Sequence, residues 1–175
     1  MANLKKYKQS GRSMIEMLGV LAIVGVLSAG GIAGYSMAMQ SHKTNTLIEK
    51  INLIAMQTRK LYKGDYADAD IQDLVDAGRI ADINNPFGGT IVVGVSNWST
   101  NNNMFHVSMS NIPAETCTDI LQMDWGDSGV FEGIRLSGGG TMIDFRNNAD
   151  TWPPSVADAI TSCKAGNQTP WIVFK

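Results

Sequence analysis

Side chains that carry out chemistry are scarce in this sequence of 175 residues. It holds two histidines and two cysteines, and its charged fraction is 17%, against roughly 25% in an average soluble domain. His42 and His106 stand apart, with no metal-ligand spacing around either, and nothing marks a Ser-His-Asp or Cys-His site. The glycine-rich run Ser137–Thr141 lacks the lysine and following helix of a phosphate loop, so it reads as a hairpin turn. Asp119, Asp124 and Asp127 offer oxygens for calcium, but the stretch does not match an EF-hand loop and reads as an acid-and-glycine turn. Asn97-Trp98-Ser99 and Asn167-Gln168-Thr169 match a glycosylation triplet and nothing more. With a net charge of −2 the chain has no basic field for nucleic acid. We therefore expect no enzyme, no cofactor, no metal and no nucleic-acid partner.

Cys117 and Cys163 leave two readings open. In a reducing compartment they are buried free thiols; outside the cytoplasmic membrane a disulfide is the better reading. The first forty residues decide the compartment.

Two further absences shape those residues. No proline occurs before Pro86, and no charge occurs from Met17 to Met39. An uncharged helix of that length spans roughly 34 Å, enough to cross a bilayer core. The run holds Gly19, Gly25, Gly30, Gly31 and Gly34, which a soluble core helix would avoid at up to about 1 kcal/mol each. In lipid, small residues let helices approach closely. Lys5, Lys6, Lys8 and Arg12 all precede the run, which puts the amino end in the cytoplasm and the body outside. Without residues 1–11, which carry three of the 14 basic residues and no acid, 11 bases face 16 acids, a net of −5. A cleaved secretory signal, with a site near Ser36-Met37-Ala38, and a plain single-span anchor share parts of this pattern.

Glu16 heads the run, five residues after Gly11, in "GRSMIE". A basic leader, a glycine with a glutamate five on, and twenty or more apolar residues together resemble the type IV pilin superfamily. The resemblance implies cleavage after Gly11 by a prepilin peptidase, a leader of residues 1–11, and a mature chain that starts at Arg12. Arg12 stands where the family commonly has an apolar, N-methylated residue. Cleavage would free an α-amino group four helical positions before Glu16, about 6 Å along the axis. In a filament core that amine, from a neighbouring subunit or the same chain, or the Arg12 side chain, is the counter-charge for Glu16. The bland alternative is an acid favourable to the helix dipole, by about 0.3–1 kcal/mol.

Beyond the run, Leu47, Ile51, Ile54, Thr58 and Leu61 fall on one helical stripe, predicting one helix from Met14 to Tyr62 that ends at Gly64. Residues 66–80 read as a short helix stopped by Gly78, inside a connection that closes on "NNPFGG". Strands are predicted over Thr90–Val95, Met104–Met109, Gly129–Leu136, Thr141–Phe145 and Trp171–Phe174. Phe105, Val107 and Met109 alternate with His106 and Ser108, predicting a strand with one covered face. Helices are predicted after Pro113, carrying Cys117, and over Ser155–Ser162.

The fold expected is α+β: a long N-terminal helix packed on a C-terminal antiparallel sheet, the pilin fold. Four segments follow: leader 1–11, membrane and assembly helix 12–39, amphipathic half 40–62, and head 63–175. The proline and cysteine on a short helix also resemble the type IVb branch, which implies a disulfide from Cys117 to Cys163. Function follows from the resemblance: a structural subunit that polymerises with identical copies through its N-terminal helix. Its partners would be the peptidase, the inner-membrane assembly machinery and, before assembly, the membrane. Its destination would be an extracellular filament serving adhesion or aggregation. The alternatives are a type II secretion pseudopilin, which would favour calcium over the disulfide, a minor pilin, and a single-span or secreted periplasmic binding domain.

Overall fold

A computed structural model describes residues 14–126, 130–138, 141–146, 152–164 and 168–175. Gly11, Arg12, the rest of the leader, Asp127 and Asn167 lie outside the described residues. The elements are α1 (Met14–Tyr62), α2 (Ile71–Asp76), β1 (Ile91–Val95), β2 (Phe105–Met109), α3 (Ala114–Gln122), β3 (Phe131–Gly138), β4 (Thr141–Arg146), α4 (Val156–Cys163) and β5 (Thr169–Phe174). The chain divides into two compact units, residues 1–42 and 43–175.

Local chemistry sets the element ends. α1 stops where Lys63 and Gly64 take positive φ, 53° and 98°, a conformation glycine adopts without a Cβ penalty. The Asp70 side chain accepts from the Gln72 amide and caps α2, and Gly78 at φ 64° ends the turn after it. Ser155 caps α4 by accepting from Asp158 N.

Five strands form one antiparallel sheet in the order β1-β2-β5-β3-β4. The strand latest in the chain thus sits at the centre. It is longer than the apolar run predicts, because Thr169 and Pro170 pair with Ser137 and Leu136 of β3. On the β2 side the pairing covers only Trp171 to Phe174. Pro170, which has no N–H, therefore faces no ladder position on that side.

One face of the sheet carries Ile91, Val93, Phe105, Val107, Met109, Ile134, Leu136, Ile172 and Phe174, all buried. Thr44, Leu47, Ile51, Ile54, Ala55 and Thr58 of α1 are buried in the same core. Leu61 is only partly buried, and Thr44 and Ala55 join the stripe the sequence shows. Each fully buried Leu or Ile side chain contributes about 1.5–3 kcal/mol. The two buried threonines are satisfied: Thr58 Oγ1 donates to Ile54 O at 2.8 Å, and the Thr44 and Thr116 hydroxyls lie 3.0 Å apart, linking α1 to α3.

β2 departs from the one-sided strand its alternation predicts. All five of its residues are buried, His106 and Ser108 included. As an interior strand it has neighbours on both edges, and Trp171 of β5 stacks on the His106 ring with centroids 4.3 Å apart. The second face of the sheet is covered further by the segment after β1. There Trp98 lies against the guanidinium groups of Arg135 and Arg146, at 5.4 and 4.3 Å from the ring centroid. Arg135 also holds Asp144 through two nitrogens, at 2.6 and 3.0 Å. Gly133 has φ 140°, and a Cβ there would sit 2.3 Å from Phe145 O, so only glycine fits.

α3 and α4 are joined by a disulfide between Cys117 and Cys163, both fully buried, with Cα atoms 5.8 Å apart. In the chain-entropy picture, closing a loop of 46 residues constrains the unfolded chain by roughly 4 kcal/mol. Replacing both cysteines by alanine is expected to lower unfolding free energy by about that amount. Urea titration of the oxidised and doubly substituted full-length chains checks this, and coincident midpoints would contradict it.

Candidate assembly surface

From Met14 to Ala38 every residue of α1 is exposed. Met14 is 87% exposed, Ile15 78%, Val26 75% and Ile32 71%. In its most apolar window the helix reaches a mean hydropathy of 2.1 with none of that window buried, so by length and composition it can cross a membrane. A soluble helix shows this much apolar surface only where something else covers it.

Glu16 is the single charged side chain from residue 14 to residue 42. It lies in the first turn of α1, where an acid suits the helix dipole. Gly19 stands three residues on, on the same helical face. A Cβ at Gly19 would meet nothing within 4 Å, and Glu16, Met17, Gly19, Val20 and Ile23 border a hollow of about 470 Å³. The carboxylate therefore flanks a notch rather than a wall. The pairing of Glu16 with Gly19 escapes a reading that counts the glycines only as a group; the i, i+3 spacing is the signal for it. Gly25, Gly30, Gly31 and Gly34 leave similar open positions further along. Ser36 returns its hydroxyl to Ala33 O at 2.8 Å, so this polar residue makes no demand on a partner.

In the head, the connection from α1 to β1 is fixed by contacts that sequence spacing does not reveal. Lys50 Nζ donates to Asp82 Oδ1 and to Asn84 O, each at 2.7 Å. That bond holds the Asp82 carboxyl below its usual range. Buried Asn85 donates to Ser110 O at 2.7 Å and accepts from the amides of Phe87 and Gly89. Tyr62 donates to Asp73 and accepts from Asp70 N, tying the end of α1 to α2. Among the described residues no group of three His, Cys, Asp or Glu side chains gathers as a metal site. Asp124 accepts from Gly126 N, which closes a turn.

The profile of the PilS N-terminal family matches residues 41–174. This chain belongs to that family, and it is a type IVb pilin. The pilin is 29% identical over 187 aligned positions to a protein of Escherichia coli O127:H6 (strain E2348/69 / EPEC), the major structural subunit of bundle-forming pilus. That alignment covers 97% of the pilin and 95% of its relative. Its fold is that of TcpA, a type IV pilin from Vibrio cholerae El Tor biotype, with a TM-score of 0.58 at 15% identity, covering 75% of the pilin and 98% of TcpA. A type IV b pilin from Salmonella typhi matches with a TM-score of 0.50 at 20% identity, over 75% of the pilin and 97% of that chain. The family and these relatives are structural pilins and not enzymes.

Burial holds the His106 imidazole of the pilin below its ordinary value, and nearby Arg135 pushes the same way against the Nδ1–H bond to Val95 O. Its stabilising effect is complete above the unfolded value of about 6.5 and is lost as pH falls towards and through the folded value, because the unfolded chain binds the proton first. The melting temperature of the full-length pilin is expected to fall between pH 7.5 and 5.5, with His106→Gln flattening that slope. Parallel slopes for the two proteins would contradict it.

Proposed function

We propose that this pilin is made as a membrane-held precursor, is cleaved after Gly11 by a prepilin peptidase, and polymerises as the structural subunit of a type IV pilus. One observation carries the reading: the first half of α1 is apolar all round and wholly exposed. Two environments can cover it, lipid and the same helix of other copies. The precursor uses the first and the filament uses the second. The cations before it support an amino end in the cytoplasm and a head in the periplasm. The inner-membrane assembly machinery transfers the subunit from one environment to the other. The bundle-forming pilus of the relative supports an extracellular filament whose heads serve adhesion or aggregation.

Glu16 aligns each incoming copy. Cleavage leaves an α-amino group at Arg12, and the notch beside Glu16 gives a neighbouring amine room to reach the carboxylate. In a core without water, a carboxylate left without that partner costs about 3–5 kcal/mol. Registers that miss the pairing are rejected on that account.

Glu16→Ala is expected to insert and to be cleaved, with mass spectrometry finding Arg12 first. Its sheared filament yield should fall by about 100-fold or more, the counterpart of roughly 3 kcal/mol per subunit. Wild-type yield from that variant would remove the role of Glu16, and a chain that keeps Lys5, Lys6 and Lys8 would remove the cleavage.

A further inference from the structure

We propose that His106 is an acid-sensitive latch: when its ring takes a second proton, the end of β1 and the segment after it, residues 94–104, come off β2 while the rest of the sheet stays closed. His106 stands opposite Gly94 of β1 in register. A Cβ at Gly94 would sit 3.0 Å from the ring's Cε1, so the glycine gives the imidazole its place across β1. The ring lies on Trp171, 14° from parallel, and its Nδ1 is 3.2 Å from Val95 O. A carbonyl only accepts, so the neutral ring carries its proton on Nδ1, and a second proton goes to Nε2. One side chain of β2 thus pins the last two residues of β1, an edge strand.

Charge around the ring is one-sided. β1, β5 and residues 96–104 have no ionisable side chain. β3 and β4 carry Glu132, Arg135, Asp144 and Arg146, and of these Arg135 is the one whose charge reaches the ring. Asp144 is held by two nitrogens of Arg135, and Arg146 lies over Trp98. An indole face favours a cation, but burial outweighs it and holds the ring neutral. A second proton therefore makes a buried cation with a like charge beside it, and the fold relieves that most cheaply where little else is buried. Between Val93 and Phe105, both core residues, no apolar side chain is fully buried, and Val95 is 39% exposed. Few bonds hold residues 94–104 from outside: Tyr66 N donates to Asn102 O, and Arg135 donates to Asn97 Oδ1. The bond from Ser96 N to Met104 O lies within the segment and moves with it. Opening the sheet further would uncover Ile134, Leu136, Ile172 and Phe174, all buried.

The test is hydrogen–deuterium exchange of the full-length pilin in detergent micelles, read by mass spectrometry at pH 7.5 and 5.0 and scaled to the intrinsic exchange rate at each pH. Protection of amides in 94–104 is expected to fall about tenfold or more at pH 5.0, while protection in 131–137 and 171–174 holds. His106→Gln keeps a donor for Val95 O, and His106→Phe keeps the stack on Trp171; neither titrates in this range, so each should abolish the change. In the wild type, the His106 Cε1 proton resonance should titrate with the same midpoint as the opening, which decides the matter even where a variant does not fold. Equal protection of 94–104 at both pH values, an undiminished acid response in either variant, a midpoint apart from that of His106, or a loss spread evenly over all five strands would overturn the latch.

Discussion

An apolar helix surface with nothing of its own chain against it is the constraint from which the rest follows. Past its first turn, the backbone of the first half of α1 is satisfied within the helix, so the segment is at ease away from water. Its side chains are not at ease in water. The segment is therefore in its stable setting only in lipid or among copies of itself. One carboxylate in that setting is a departure from economy, and such departures mark function more often than packing. Glycines beside it and beyond it keep the helix slim enough for close neighbours.

In the head, a different balance holds. The amphipathic half of α1 buries a stripe of six residues and leaves the rest to water. The sheet it covers is closed on its second face by a stacked imidazole and indole and by the guanidinium–indole contacts of Trp98. A strand such as β2 thus has two covered faces, one greasy and one aromatic and polar. The disulfide clamps two short helices that have little helix stability of their own at eight and nine residues.

Much of this was legible in the residues. The absence of proline before Pro86, the charge-free run and the stripe from Leu47 to Thr58 gave α1 its length, since helix periodicity over so many turns has no rival reading. Gly64 and Gly78 marked ends because those positions need positive φ. The strands were legible as runs, but their order was not: β5 lies between β2 and β3 through pairings 63–69 residues apart with β2 and 32–43 with β3. Burial of His106 was hidden for the same reason, since its cover is Trp171. Asn85 and Lys50 gave no signal at all, because their importance lies in which carbonyls fold brings near them. Glu16 stands out in the sequence by its solitude; the hollow next to it needed coordinates.

The central position of β5 bears on how the head is made. Until residues 169–174 have emerged, β2 and β3 have no common neighbour, and each shows a raw edge of amides and carbonyls. The ribosome thus delivers the keystone after the strands it joins. A head cannot seal early, and a prematurely terminated polypeptide would be left with open edges that proteases and chaperones recognise. The order of synthesis thus decides when the sheet can close.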